Sequence, residues 1–154
     1  MRPEFIAKMV SDVDNITMVK ESTGDIQRMH KLFQLSDGAI KFYNGSNPLA
    51  FAAFAAFAAG AAGWCTAAAN IVPEWPKRLH RAFADGKLSE AREVYYRQLP
   101  FLQFIMRGGL PATIKGGLRV VGFDAGVPRE PCRPMNAEQA KELSGILEKL
   151  GARG

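Results

Sequence analysis

The chain has 154 residues and a mass of 16.8 kDa, enough for one domain or a domain with a small satellite, and too short for a complete (β/α)8 barrel of roughly 250 residues. Its 47% hydrophobic and 23% charged residues exclude a disordered chain, and two distant cysteines, Cys65 and Cys132, exclude a disulfide scaffold or a four-cysteine zinc site. A net charge of +5 with pI 9.4 permits nucleic acid or an anionic surface as partner, but equally suits an enzyme acting on small acids.

The opening Met1-Arg2-Pro3-Glu4 has no apolar stretch behind it, so no signal peptide is expected and the expected setting is the reduced cytoplasm. Pro3–Ser11 reads as a helix with Phe5, Ile6, Met9 and Val10 on one face. Residues 15–20 read as a strand, and Asp25 caps a second helix whose apolar face is Ile26, Met29, Leu32 and Phe33. Residues 39–43 form a second strand. Asn47 and Pro48 open a helix reaching about Ala59, with Phe51, Phe54 and Phe57 as its stripe. Residues 62–67 form a third, short strand.

No charge occurs between Lys41 and Glu74, but alanine is weakly apolar and Pro48, Gly60, Gly63, Asn70 and Pro73 interrupt the run. A buried helix followed by a buried strand is therefore expected, and no membrane partner. Alternating strands and helices at this spacing predict parallel βαβ units.

After Pro73 the periodicity is helical throughout. Trp75, Leu79 and Phe83 mark one helix, closed at Asp85-Gly86. Leu88–Arg107 is a longer one, with Ala91, Val94, Tyr95, Leu99, Leu102, Phe104 and Ile105 inward and Pro100 as a kink. Leu110–Val121 is a third, with Ile114, Leu118 and Val121 inward. Asn136 and Gln139 form a capping box for a last helix, closed by Gly151. The basic group Lys77, Arg78, His80 and Arg81 reads as a solvated helix face, without a nucleic-acid-binding motif around it. The expected division is residues 1–72 as an α/β part and 73–154 as an all-helical part.

Lys20 is the candidate for chemistry. It ends a strand, at the edge where parallel sheets place ligands, and alternation puts it with Ile16 and Met18 on one face. A lysine turned into a barrel interior would lose solvation, which favours the neutral amine that attacks a ketone. Ser22, Thr23 and Gly24 follow it and could donate hydrogen bonds to a carboxylate. Tyr43-Asn44-Gly45 and Gly63-Trp64-Cys65-Thr66 end the next two strands and converge on the same rim. His30 and His80 stand alone, both cysteines read as structural thiols, and neither a metal nor a cofactor is indicated.

These motifs carry a resemblance. The segment Ile16–Asp25 resembles the Schiff-base lysine strand of the dihydrodipicolinate synthase / N-acetylneuraminate lyase family, and Phe42–Gly45 its next strand end. Gly60–Pro73 resembles the family's G-A-x-G-x-I-S-x-x-A-N-x-x-P stretch. Gly86 with Ala91-Arg92, Lys115 with Leu118, and Val127–Pro131 echo its helical C-terminal region. The resemblance implies the last three strand–helix units of a TIM-type (β/α)8 barrel followed by a C-terminal all-helical region. It implies a class I aldolase-type lyase, dehydratase or synthase in which Lys20 forms an imine with pyruvate or a related 2-oxo acid. By position, Ser22, Thr23, Gly45, Asn47, Cys65 and Thr66 would bind substrate. Cys65-Thr66 replaces the usual Ile-Ser, and Asn47-Pro48 an acidic pair. The family's upstream Gly-Thr-Thr-Gly-type loop and proton-shuttling tyrosine have no counterpart in this sequence. The expected partners are therefore the small 2-oxo acid and either copies of the chain or the missing N-terminal barrel half. The alternative is a non-catalytic truncated homologue serving as an interaction or oligomerisation module, and a third reading is a basic nucleic-acid-binding protein.

Overall fold

The computed structural model describes residues 1–45, 57 and 59–152, and the chain divides into two compact units, Met1–Cys65 and Thr66–Gly154. The division falls ahead of the expected 72/73 boundary. The reason is the 3-10 turn Ala67–Asn70, which packs against helices of the second unit. Thr66 caps this turn by accepting a hydrogen bond from the Ala68 N–H at 3.2 Å.

In the first unit, α1 (Pro3–Asp12) begins with proline in its first turn. Strand β1 (Met18–Glu21) starts later than residue 15, because the Ile16 N–H is held in a turn by the Val13 carbonyl. Helix α2 (Ile26–Leu35) is capped by Asp25, which accepts from the Gln27 N–H at 2.9 Å. Strand β2 (Lys41–Asn44) and the two-residue β3 (Gly63–Trp64) complete a sheet of order β1-β2-β3, parallel throughout. β3 is shorter than residues 62–67 because Thr66 already belongs to the cap. The expected helix from Pro48 to about Ala59, with Phe51 and Phe54, lies outside the described residues apart from Phe57, which is helical.

The core of this unit is Ile6, Met29, Leu32, Ile40 and Phe42, with Val10, Val19, Ile26 and Ala61 packed against it. Phe42 meets the Phe33 ring edge-on at 6.4 Å between centroids. Phe5 and Phe33, expected on buried faces, are each more than half exposed. The small sheet gives α1 and α2 only a narrow apolar surface, which Ile6, Met29 and Leu32 occupy.

In the second unit every regular element among the described residues is helical: α3 (Glu74–Ala84), α4 (Leu88–Gly108), α5 (Leu110–Val120) and α6 (Ala137–Lys149). α3 ends at Asp85, with Gly86 in the left-handed region at φ +69°. Trp75 ties α3 to the end of α6 by donating its indole N–H to the Leu150 carbonyl at 3.0 Å, and the Arg78 and Arg97 guanidinium groups stand 5.0 and 5.4 Å from its ring centre. α4 stays helical through Pro100. It buries Gln98 and Phe101 besides most of the expected positions, while Leu99 is half-buried.

α5 turns a different face inward from the one expected. Ala112, Thr113 and Gly117 are buried, and Ile114, Leu118 and Val121 are only half-buried. Small residues admit close approach: a Cβ on Gly117 would collide with Ile71 Cδ1 and stand 3.3 Å from Leu143 Cδ2. At α6 the capping box is complete, Asn136 Oδ1 accepting from Gln139 N–H at 2.8 Å and Gln139 Oε1 from Asn136 N–H at 3.0 Å.

Candidate active site

Alternation along β1 decides which way each side chain points. Val19 turns toward the helix-packed core, and so does Glu21, which is 4% exposed. Met18 and Lys20 therefore occupy the opposite face, and both are exposed. Within this unit Lys20 does not have the desolvation expected of an interior lysine, because nothing described covers that face of the sheet.

The parallel register pairs Lys20 with Tyr43 and Tyr43 with Gly63, so the three form one row across the sheet. The Tyr43 ring lies against Gly63, where a Cβ would be 2.9 Å from the ring. One residue further on, the Gly45 N–H donates to the Glu21 carbonyl at 2.7 Å and closes the ends of β1 and β2 together. The Lys20 side chain runs across Gly45: a Cβ there would be 2.7 Å from Lys20 Cγ, 2.6 Å from Lys20 Cε, and in collision with Ser22 Oγ. Lys20, Ser22 and Gly45 are thus brought together at the carboxyl end of the strands.

The other expected site residues fall differently. Thr23 is committed to its own turn: its N–H donates to Glu21 Oε1 at 2.7 Å, and its hydroxyl oxygen accepts from the Asp25 N–H at 3.2 Å. Cys65, an exposed free thiol, follows β3, and its N–H donates to the Asn44 carbonyl at 2.8 Å. Thr66 belongs to the second unit, where its hydroxyl caps the 3-10 turn. Asn47 lies outside the described residues.

Residue-by-residue reading missed Glu21. Its Oε2 accepts from Arg28 Nε at 3.2 Å, while Oε1 holds Thr23. Burial works to raise its pKa, but hydrogen bonds from the Thr23 hydroxyl and amide and the Arg28 guanidinium outweigh burial and hold it below the ordinary value of 4.5. The available signal was an acid on the helix-facing side of a strand, followed by an arginine in the first turn of the next helix. Among the described residues no three of His, Cys, Asp and Glu are grouped to hold a metal, and no helix is long and apolar enough to cross a membrane.

The dihydrodipicolinate synthetase family matches residues 1–150. This chain belongs to that family. A solved dihydrodipicolinate synthetase-type structure from Pseudomonas aeruginosa is 53% identical, with TM-score 0.92 over 97% of this chain and 51% of that one. The 4-hydroxy-tetrahydrodipicolinate synthase of Archaeoglobus fulgidus is 25% identical over 148 residues, 96% of this chain and 50% of the relative. The dihydrodipicolinate synthase of Thermotoga maritima, 23% identical with TM-score 0.88 over 98% of this chain and 51% of that one, shares the fold. The chain thus spans about half the length of the curated relatives it matches, and these relatives are lyase-type enzymes.

Proposed function

We propose that this member of the dihydrodipicolinate synthetase family carries the imine-forming lysine of a lyase or synthase acting on pyruvate or a related 2-oxo acid. Its three strands are read as the last three of a (β/α)8 barrel, so the exposed face bearing Met18 and Lys20 becomes interior once the remaining strands are in place. The observation that carries the reading is the path of the Lys20 side chain over Gly45 and beside Ser22, at the carboxyl end of parallel strands where such barrels hold their substrates.

In the reaction the neutral Nζ attacks C2 of the 2-oxo acid, and one of its protons passes to the ketone oxygen to give a carbinolamine. A second proton, taken from water, lets that oxygen leave as water, the nitrogen lone pair forming the C=N bond of the protonated imine, which then acts as an electron sink at the adjacent carbon. Ser22 is read as a donor to the substrate, since its Oγ lies beside Gly45 with the Lys20 side chain. Gly45 leaves the lysine room to reach C2. Cys65, exposed after β3, is read as lining the same rim, with Asn47 as a further candidate for the second reactant.

The test is to incubate the full chain with pyruvate, reduce with borohydride, and map the adduct by mass spectrometry. An adduct on Lys20 that is lost in Lys20→Ala supports the reading. No adduct in the folded chain, or an equal adduct in Lys20→Ala, overturns it in favour of a non-catalytic interaction module.

A further inference from the structure

Tyr43 stands in the same row as the lysine, and imine formation assigns it no task. Alternation along β2 puts Phe42 in the helix-packed core and Tyr43 on the opposite face, beside Lys20. The two side chains lean the same way across the sheet. Lys20 leaves β1 and crosses Gly45 at the end of β2, whereas Tyr43 leaves β2 and crosses Gly63 in β3. Gly63 is buried, and a Cβ on it would stand 2.9 Å from both Cδ1 and Cε1 of the ring, closer than a Cβ can approach without displacing it. The Gly63 backbone is not in the left-handed region, so the ring, and not the backbone, calls for glycine there. Lysine and ring thus each need a glycine on the neighbouring strand, and the two needs are linked. With Gly63 open, the ring is seated on β3, to one side of the lysine's path. Turned off that seat, it has a staggered position along β2 toward Gly45, the place that the lysine stem occupies.

We propose that Tyr43 is a positioning residue for Lys20: seated on Gly63, its ring fills the open face beyond β2, so the lysine stem cannot spread toward β3 and keeps to the path over Gly45 that leads to the carboxyl end of the strands. The proposal rests on the imine reading above. A long lysine stem has many rotamers, and an unconfined one seldom aims its amine at any one point. Confinement raises the fraction of amines in position to attack a ketone. The contact with Gly63 is made by ring carbons, so the tyrosine hydroxyl is not required for this role. The ring acts on the amine alone, so the carboxylate of a 2-oxo acid has no part in it.

The test follows borohydride trapping on Lys20 in the full chain with two ketones, pyruvate and acetone, the second lacking a carboxylate, and reads the initial rate by mass spectrometry. Tyr43→Phe, which keeps the ring carbons that meet Gly63, should trap at the unaltered rate. Tyr43→Ala and Gly63→Ala should each slow both ketones alike, by about tenfold or more, the scale on which misplacing a reacting group slows its reaction. Gly63→Ala in the Tyr43→Ala background should cost nothing further, because the glycine acts only through the ring. A glycine needed merely for folding would stay costly there. Circular dichroism and urea unfolding identify the folded variants, and Tyr43→Ala, at a half-buried position, serves if Gly63→Ala does not fold. Tyr43→Phe falling as far as Tyr43→Ala, unchanged trapping in Tyr43→Ala, or an added loss in the double variant overturns the positioning role while leaving the lysine in place. Absence of any adduct in the unaltered chain removes the imine reading and this inference with it.

Discussion

Gly45 illustrates how a single position can be set by the path of its neighbour. Its backbone does not require glycine. The space does, because a Cβ would sit 2.6 Å from Lys20 Cε. Gly45→Ala must therefore push the lysine and Ser22 aside, at a cost of about 1–3 kcal/mol typical of overpacking. The expected outcome is an unchanged circular dichroism spectrum with borohydride trapping of pyruvate slowed about tenfold or more. Trapping at the unaltered rate would show that Lys20 reaches its substrate by another path. Glu21 gives a second prediction, in pH. Its folded pKa lies below 4.5, so its pairing stabilises the fold fully above the ordinary glutamate range and loses that contribution as pH falls through the lower folded value. Urea unfolding of the unaltered chain and Glu21→Gln should differ by about 1–3 kcal/mol near neutrality, converging at acid pH where Glu21 is protonated in both states.

At the scale of elements, α5 and α6 show two kinds of helical glycine. Gly117 faces Ile71 and Leu143 at contact distance, whereas Gly145 in α6 has open space where its Cβ would stand. Alanine gains up to about 1 kcal/mol in helix propensity at either position. At Gly117 the collision with Ile71 Cδ1 outweighs that gain, so Gly117→Ala should destabilise by about 1–3 kcal/mol and be partly rescued by Ile71→Val. Gly145→Ala should stabilise by about 0.5–1 kcal/mol. Thermal or urea unfolding of the three variants checks the pattern, and equal effects at the two glycines would contradict the close packing of α5. This packing also explains why the large residues of α5 misled the sequence reading: Ile114 and Leu118 suggested one face, but the helix approaches its neighbours through Ala112, Thr113 and Gly117.

At the scale of the whole molecule, the sheet among the described residues has three parallel strands, with β1 and β3 at its edges, and the chain covers about half the length of its curated relatives. On the proposed reading, the groups that hold the substrate carboxylate from above and move its protons belong to the other strands of the barrel. Each such group is worth about 10²–10⁴ in rate. Residues 1–154 alone should thus form the imine and yet consume pyruvate with an aldehyde at least about 10²-fold more slowly than a full-length relative assayed alongside. Turnover at the relative's rate would show that residues 1–154 suffice for the reaction.

The sequence by itself determined the alternation of helices and strands up to Asn44, the short strand at Gly63-Trp64, the helical character afterwards, the Asp25 and Asn136 caps, and Lys20 as the candidate for chemistry. Each of these rests on local physics: period, capping chemistry, turn residues and a motif contiguous in the chain. The tertiary structure decided what depends on neighbours distant in sequence. It placed Lys20 across Gly45, committed Thr23 and Thr66 to their own turns, moved the unit boundary to Cys65, and left Phe5 and Phe33 exposed. It also gave Glu21 its work, because a buried carboxylate becomes an asset only when the fold brings an arginine from the next helix and an amide from the next turn to meet it.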